Sequence, residues 1–185
     1  MHLKQVHSNW VKSVLDSAAG SAGEGDALIT DRPGALLSVR TADCLPILIA
    51  DPTHHAVAAV HAGWRGTAAE IGPATLVAMS GQFGTRAEDV LVAIGPGIGP
   101  CCFEVGPEVG SEFERFFPER NDLRVRTRID LAEANRRQFA SAGVPAAQIE
   151  LLRLCTRCLV EEFHSYRRDG KGSGRMVSAI GICTA

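Results

Sequence analysis

Two side chains with metal-competent atoms stand at the ends of two apolar runs. Cys44 comes just before Leu45–Ala50, and His61 just after Ala56–Val60, with Pro52, His54 and His55 in the turn between them. Runs this short, partly β-branched and split by turn residues, read as two buried strands joined by a tight loop. In an antiparallel hairpin the start of one strand lies beside the end of the next, so Cys44 and His61 are expected to meet at one sheet end. His7, in Gln5-Val6-His7-Ser8, is the natural third member. Three protein ligands of mixed nitrogen and sulfur type, leaving a fourth position open, are the pattern of a catalytic zinc rather than a structural one. The softness of these donors favours zinc over magnesium or calcium. Spacing alone keeps a plainer alternative open, with His7 on the surface and Cys44 an inert core cysteine. Another reading makes Cys44 a nucleophile and His61 its base, for amide or thioester cleavage.

Other candidates flank this pair. Asp43 either orients a ligand or serves as a turn residue, and it alternates to the other strand face if the strand starts that early. Arg65 follows Trp64 and the small residues Ala62 and Gly63. Its fork of donors suits a phosphate or carboxylate, and a surface ion pair is the alternative. The Gly95–Gly99 loop lacks the Lys-Ser/Thr ending of a phosphate-binding P-loop. Cys155-Thr-Arg-Cys158 is a lone C-x-x-C without a partner pair, so no zinc ribbon is expected; a redox dithiol is the alternative, though no thioredoxin-like setting surrounds it. Arg167, Arg168 and Asp169, in a glycine-flanked loop, either close over an anion or are solvated.

The elements that must position these groups fit one domain spanning residues 1–185, a length that supports a real core. The apolar share of 45% and charged share of 22% are ordinary for a globular protein. With a formal net charge of −2 and no Lys/Arg run beyond a pair, neither nucleic acid nor an anionic membrane is an expected partner. No apolar run approaches the ~20 residues that span a bilayer. The polar start Met-His-Leu-Lys-Gln-Val-His-Ser lacks a signal-peptide core, so a cytoplasmic location is expected. There the six cysteines are expected to be buried, metal-bound or reactive rather than paired in structural disulfides.

Residues 3–15 suit a strand or two, and Gly20–Asp26 reads as a flexible loop by composition. Ala27–Thr30 and Ala35–Val39 read as strands around the turn Asp31-Arg32-Pro33-Gly34. A helix opening at Gly72-Pro73 is expected to run to Gly81. Val90–Ile94 is a buried strand and Pro107–Phe117 an amphipathic helix. Asp130 to Glu133 forms a capping box, with Glu133 reaching back, for a helix ending near Gly143. Ile149–Leu154 and Arg175–Cys183 are strands, with Ser165–Gly170 in the loop before the last. Neighbouring strands are too close for helical crossovers, so the fold class is α/β of the α+β kind: layered mixed or antiparallel sheets flanked by helices.

Five segments occur in order: Gln5-Val-His-Ser8, Thr41-Ala-Asp-Cys-Leu-Pro46, His61-Ala-Gly-Trp-Arg-Gly66, Gly95-Pro-Gly-Ile-Gly-Pro-Cys-Cys-Phe-Glu-Val105 and Ser165-Tyr-Arg-Arg-Asp-Gly170. The set resembles the laccase-domain or polyphenol-oxidase-like family, described as zinc-dependent purine nucleoside phosphorylases with adenosine deaminase activity. The resemblance covers essentially the whole chain. It implies zinc held by His7, Cys44 and His61, and a fold related to that of a bacterial toxin with a cysteine–histidine deamidase site. It also implies a purine nucleoside and inorganic phosphate as partners, in a monomer or homodimer. Asp43 and Arg65 are then expected at the reacting groups, with Cys102, Arg168 and Asp169 as further substrate contacts. A methylthio-substituted nucleoside is a possible variant substrate. The rivals are an amidohydrolase for miscoupled cell-wall precursors and a zinc-stabilised binding module. Members of the family usually carry several dozen residues ahead of Gln-Val-His, including a Gly-Val-Ser segment. Here the sequence begins almost at His7, so either its start is trimmed or one pocket wall is lacking.

Overall fold

The computed structural model describes residues 1–15 and 20–183. In chain order the strands are β1 (His2–Lys4), β2 (Val11–Ser13), β3 (Ser21–Glu24), β4 (Ala27–Thr30), β5 (Leu36–Thr41), β6 (Leu45–Asp51), β7 (Ala56–Ala62), β8 (Leu91–Ile94), β9 (Glu104–Val105), β10 (Thr127–Arg128), β11 (Ile149–Leu151) and β12 (Met176–Gly181). The helices are α1 (Trp64–Ala68), α2 (Ile71–Phe83), α3 (Pro107–Gly110), α4 (Leu131–Ser141) and α5 (Tyr166–Asp169).

Six strands form one mixed sheet in the order β11-β8-β6-β7-β4-β2. The expected hairpin lies at its centre, with β6 antiparallel to β7 and Pro46 opposite His61. All seven residues of β7 are buried, because both sheet faces are covered. Alternation divides them between two cores. Ala58 and Val60, with Ile29, Ile47 and Ile49, join the core containing Met79 of α2 and Phe139 of α4. Val57 and Ala59 point the other way, into a core with Leu37 and Val39 of β5. There β5 pairs with β12 in a separate antiparallel ribbon. The layers are therefore helices, central sheet and ribbon, which is the layered class that the strand spacing implied.

Several boundaries differ from expectation for identifiable reasons. Gly20–Asp26 is no loop: Ser21–Glu24 forms β3, paired in parallel with β1. Helix α2 passes through Gly81, since one glycine costs only ~1 kcal/mol in a helix, and stops at Gly84, whose φ of 76° closes a left-handed cap onto the Ser80 carbonyl. The Pro107–Phe117 helix is broken after one turn. Gly110 lies so close to the backbone of Leu123 that no side chain fits between them, and Phe113, Phe116 and Phe117 turn into the core. The Asp130 side chain caps α4 by accepting from the Glu133 N–H at 2.9 Å. The Glu133 carboxylate does not reach back; it binds Arg136 and Arg137 instead. β11 ends at Leu151, and Ser165–Gly170 contains the single turn α5 rather than a loop.

The helical layer tests how tightly this core is packed. A Cβ on Gly72 of α2 would sit 2.8 Å from Cζ of Phe139, which is fully buried and has no free volume to retreat into. Gly72→Ala gains ~1 kcal/mol of helix propensity and incurs ~1–3 kcal/mol of overpacking. We expect net destabilisation of up to ~2 kcal/mol in denaturant titration; a more stable variant would show that α2 and α4 are loosely seated.

Candidate active site

The β6–β7 register places Cys44 and His61 on the same face at the same end of the sheet. Leu45 pairs with Ala62, so Cys44 lies beside Gly63, one step beyond the last ladder pair. A Cβ on Gly63 would lie 2.9 Å from Cys44 Sγ and 3.1 Å from His7 Cδ2. Glycine is thus what lets the histidine and the thiol close over the hairpin end. The His7 Nε2 to Cys44 Sγ distance is 3.9 Å, and one donor atom from each of His7, Cys44 and His61 lies within 4.8 Å of the others. The three expected metal ligands converge.

What holds them is Asp26, which the sequence reading passed over. It is fully buried and stands directly before β4. One carboxylate oxygen accepts from His61 Nδ1 at 2.8 Å and from the His7 N–H at 3.0 Å. The other accepts from the N–H of Ser8 at 2.6 Å, the Ser8 hydroxyl at 2.7 Å and the N–H of Val6 at 3.3 Å. Burial alone would push the Asp26 carboxyl up, but the bonds from His61, Ser8 and His7 outweigh it and bring the pKa down to about 2. Desolvation likewise opposes charge on His61, yet Asp26 and Cys44 raise it to about 9. Burial raises Cys44, and the two imidazoles overcome that and bring it to about 7. With Nδ1 of His61 engaged by Asp26, Nε2 is the nitrogen left for a metal. This is the usual arrangement of carboxylate, histidine and ion. One sulfur and two imidazole nitrogens, one imidazole fixed by a carboxylate, suit zinc by softness and charge.

Gln5 is a second residue with an unforeseen role. Its side-chain amide donates to the Arg40 carbonyl at 2.8 Å and accepts the Arg40 N–H at 2.9 Å, docking the His7 segment on the edge of β5 away from β12. His7 itself adopts a φ of 61°, held between this amide and Asp26.

A cavity of ≈ 770 Å³ opens over the trio. Arg40, Arg167 and Arg175 line it, with Phe103 and Tyr166 supplying ring surfaces. Asp43 also lines it, at a φ of 84°, but its carboxylate accepts from the Thr156 hydroxyl at 2.7 Å and the Arg167 N–H at 2.6 Å. Asp43 thus ties the hairpin to two loops, and it is Asp26 that orients His61. Arg65 is exposed, stacks on the Trp64 ring at 4.2 Å and does not line the cavity. Arg168 pairs with Asp169 at 2.8 Å and binds the Phe163 carbonyl, and neither residue is in the lining. Cys102 lies with Cys101 and Cys158 outside it. The structure therefore brings His7, Cys44, His61 and Asp43 together and leaves Arg65, Cys102, Arg168 and Asp169 apart from them.

A family model described as multi-copper polyphenol oxidoreductase laccase matches residues 1–183. The chain belongs to that family. It is 49% identical over 163 residues to a purine nucleoside phosphorylase of Bacteroides thetaiotaomicron, covering 85% of this chain and 60% of that protein. It is 41% identical over 181 residues to a purine nucleoside phosphorylase of Clostridium acetobutylicum, covering 97% of this chain and 75% of the other. An adenosine deaminase of an unknown prokaryotic organism is 42% identical over 161 residues, covering 84% of this chain and 61% of that protein. Among solved structures, YlmD from Geobacillus stearothermophilus superposes with a TM-score of 0.90 at 36% identity, covering 97% of this chain and 72% of that one. Within this laccase-like family the chain spans three fifths of the length of its Bacteroides relative. No helix among the described residues is long and apolar enough to cross a membrane.

Asp26→Asn keeps the side-chain volume but replaces one acceptor oxygen with a donor facing N–H groups. Loss of such an outer partner typically weakens metal binding by ~10–100-fold. We expect zinc affinity in chelator competition to fall by about that factor; unchanged affinity in a folded variant would remove Asp26 from the account.

Proposed function

We propose that this chain carries the active site of a zinc-dependent purine nucleoside phosphorylase that also deaminates adenosine. The observation that carries the reading is a single cavity lined both by His7, Cys44 and His61, whose donor atoms converge, and by the cationic residues Arg40, Arg167 and Arg175. The names of the relatives give the same two activities, one to the Bacteroides and Clostridium proteins and one to the prokaryotic deaminase. Readings as a cell-wall amidohydrolase or a binding module draw no support from those names.

Zinc in this position would supply Lewis-acid activation of water at neutral pH. In deamination, water adds at C6 of adenosine and ammonia leaves, giving inosine. The ring surfaces of Phe103 and Tyr166 would hold the base against the sheet end. In phosphorolysis, inorganic phosphate displaces the base at the anomeric carbon, giving ribose 1-phosphate. Arg40 is the best placed of the cations to orient that phosphate, because its backbone is fixed in β5 by Gln5. Arg167 is steered by its backbone bond to Asp43, and Asp43 acts as the positioning residue for that loop. His7, Cys44 and His61 serve as ligands, so the thiol does not act as a free nucleophile. Oxidase chemistry through several copper centres would need more histidines than the six present, and of these only His7 and His61 join the cluster.

Product analysis of zinc-loaded protein with adenosine, with and without phosphate, tests the proposal. Inosine in both samples and ribose 1-phosphate only with phosphate are expected; neither product from protein that binds zinc normally would end it. Arg40→Ala is expected to raise the phosphate KM by about tenfold or more, as loss of a charged hydrogen bond implies, while deamination is little changed.

A further inference from the structure

The C-x-x-C turn at Cys155 and Cys158 has no partner pair in the sequence around it. The fold supplies one. The glycine-rich loop after β8 brings Cys101 and Cys102 against that turn, so that one sulfur from each of the four cysteines lies within 4.8 Å of the rest. The Cys102–Cys158 sulfurs are 3.4 Å apart and the Cys101–Cys158 sulfurs 3.7 Å, and all four thiols are free. Four sulfurs at ~2.3 Å around a tetrahedral zinc lie ~3.8 Å from one another, close to both of these separations.

The backbone is shaped for the same purpose. The Gly99 N–H donates to Cys155 Sγ at 3.3 Å. A Cβ on Gly99 would sit 3.2 Å from Cys155 Cβ and 3.3 Å from Cys101 Sγ, a crowded contact that glycine avoids. Gly97 bridges Cys155, and the Thr156 N–H bonds to the Gly97 carbonyl at 3.0 Å. Arg168 reaches the Thr156 carbonyl at 3.2 Å and so braces the C-x-x-C turn from outside. Cys101 and Cys158 are exposed and give an ion a way in.

We propose that Cys101, Cys102, Cys155 and Cys158 hold a structural zinc ion as a closed tetrathiolate site, distinct from the centre at His7, Cys44 and His61. The thiol protons pass to solvent as the ion binds, and no redox change is involved. All four positions around the metal are filled by protein, so this ion fastens rather than reacts. It fastens the back of the cavity. Ile98 and Phe103, on either side of Cys101 and Cys102, line the cavity, and Thr156, inside the C-x-x-C turn, bonds to Asp43. The site stands whether or not the nucleoside reading holds.

The test uses the full chain and zinc alone. Metal content after zinc loading and desalting should be two ions per chain in the native protein, one in Cys44→Ala and one in Cys158→Ser. In Cys44→Ala protein loaded with cobalt, intense thiolate-to-metal charge-transfer absorption is expected. With zinc bound, a thiol reagent should titrate only Cys183 in that variant, and the other four cysteines should become reactive on chelation, with a fall of several degrees in Tm. Should Cys158→Ser fail to fold, the Cys44→Ala measurements decide alone. A Cys44→Ala protein that binds no zinc while its thiols titrate freely would overturn the proposal. So would a mass two hydrogens below that of the fully reduced chain, which would mean that two of the cluster cysteines form a disulfide.

Discussion

One buried carboxylate organises this molecule's working end. Asp26 takes bonds from three successive backbone N–H groups, a hydroxyl and an imidazole, all on its two oxygens. A carboxylate removed from water is tolerated only when its lone pairs are filled. Here they are filled by the segment carrying His7 and by His61. The burial of Asp26 is therefore stabilised by the same groups whose positions it sets. Truncating it would leave those donors unpaired in the interior, a change that typically costs several kcal/mol.

Everything else about the site follows from where that carboxylate sits. β4 pairs with β7, so Asp26 lies beside the end of the strand that delivers His61. β7 pairs with β6, so the same end receives Cys44. The ribbon of β5 and β12 covers the face toward which these side chains point, and its Arg40, with Arg175 just before β12, closes the cavity from the opposite layer. His61 comes from the sheet, Cys44 from the residue just before β6 and His7 from the segment between β1 and β2, while the cavity's arginines come from the ribbon side and the α5 turn.

The hairpin and its convergent Cys44 and His61 were legible because two apolar runs around a turn have one sensible pairing, and pairing fixes which ends meet. The layered class was legible from strand spacing. Asp26 was not: an aspartate after Gly25 and before a strand looks like a turn residue, and its partners lie at positions 6–8 and 61. The fact that it directly precedes the apolar run Ala27-Leu28-Ile29 was the available signal, since a charge next to such a run is drawn toward the interior with it. Arg65 was favoured for its neighbours Trp64 and Gly63, but the first turn of α1 carries it out over the indole. Arg40 was overlooked because the strand was expected to end at Val39, whereas β5 runs to Thr41 and Arg40 stands exposed at the cavity rim. Cys101 and Cys102, being adjacent, lack the spacing by which paired cysteines are recognised, and the loop after β8 had to be folded before they met the C-x-x-C turn.

The central claim is that His7 Nε2, Cys44 Sγ and His61 Nε2 grip one zinc ion while Asp26 holds His61 by its other nitrogen. Anomalous diffraction at the zinc edge from crystals of the zinc-loaded chain tests this most directly. The account predicts a peak within ~2.0–2.3 Å of all three atoms, with the Asp26–His61 bond intact. A well-loaded crystal with no peak there, or with zinc bound through Nδ1 of His61 and Asp26 displaced, would contradict it.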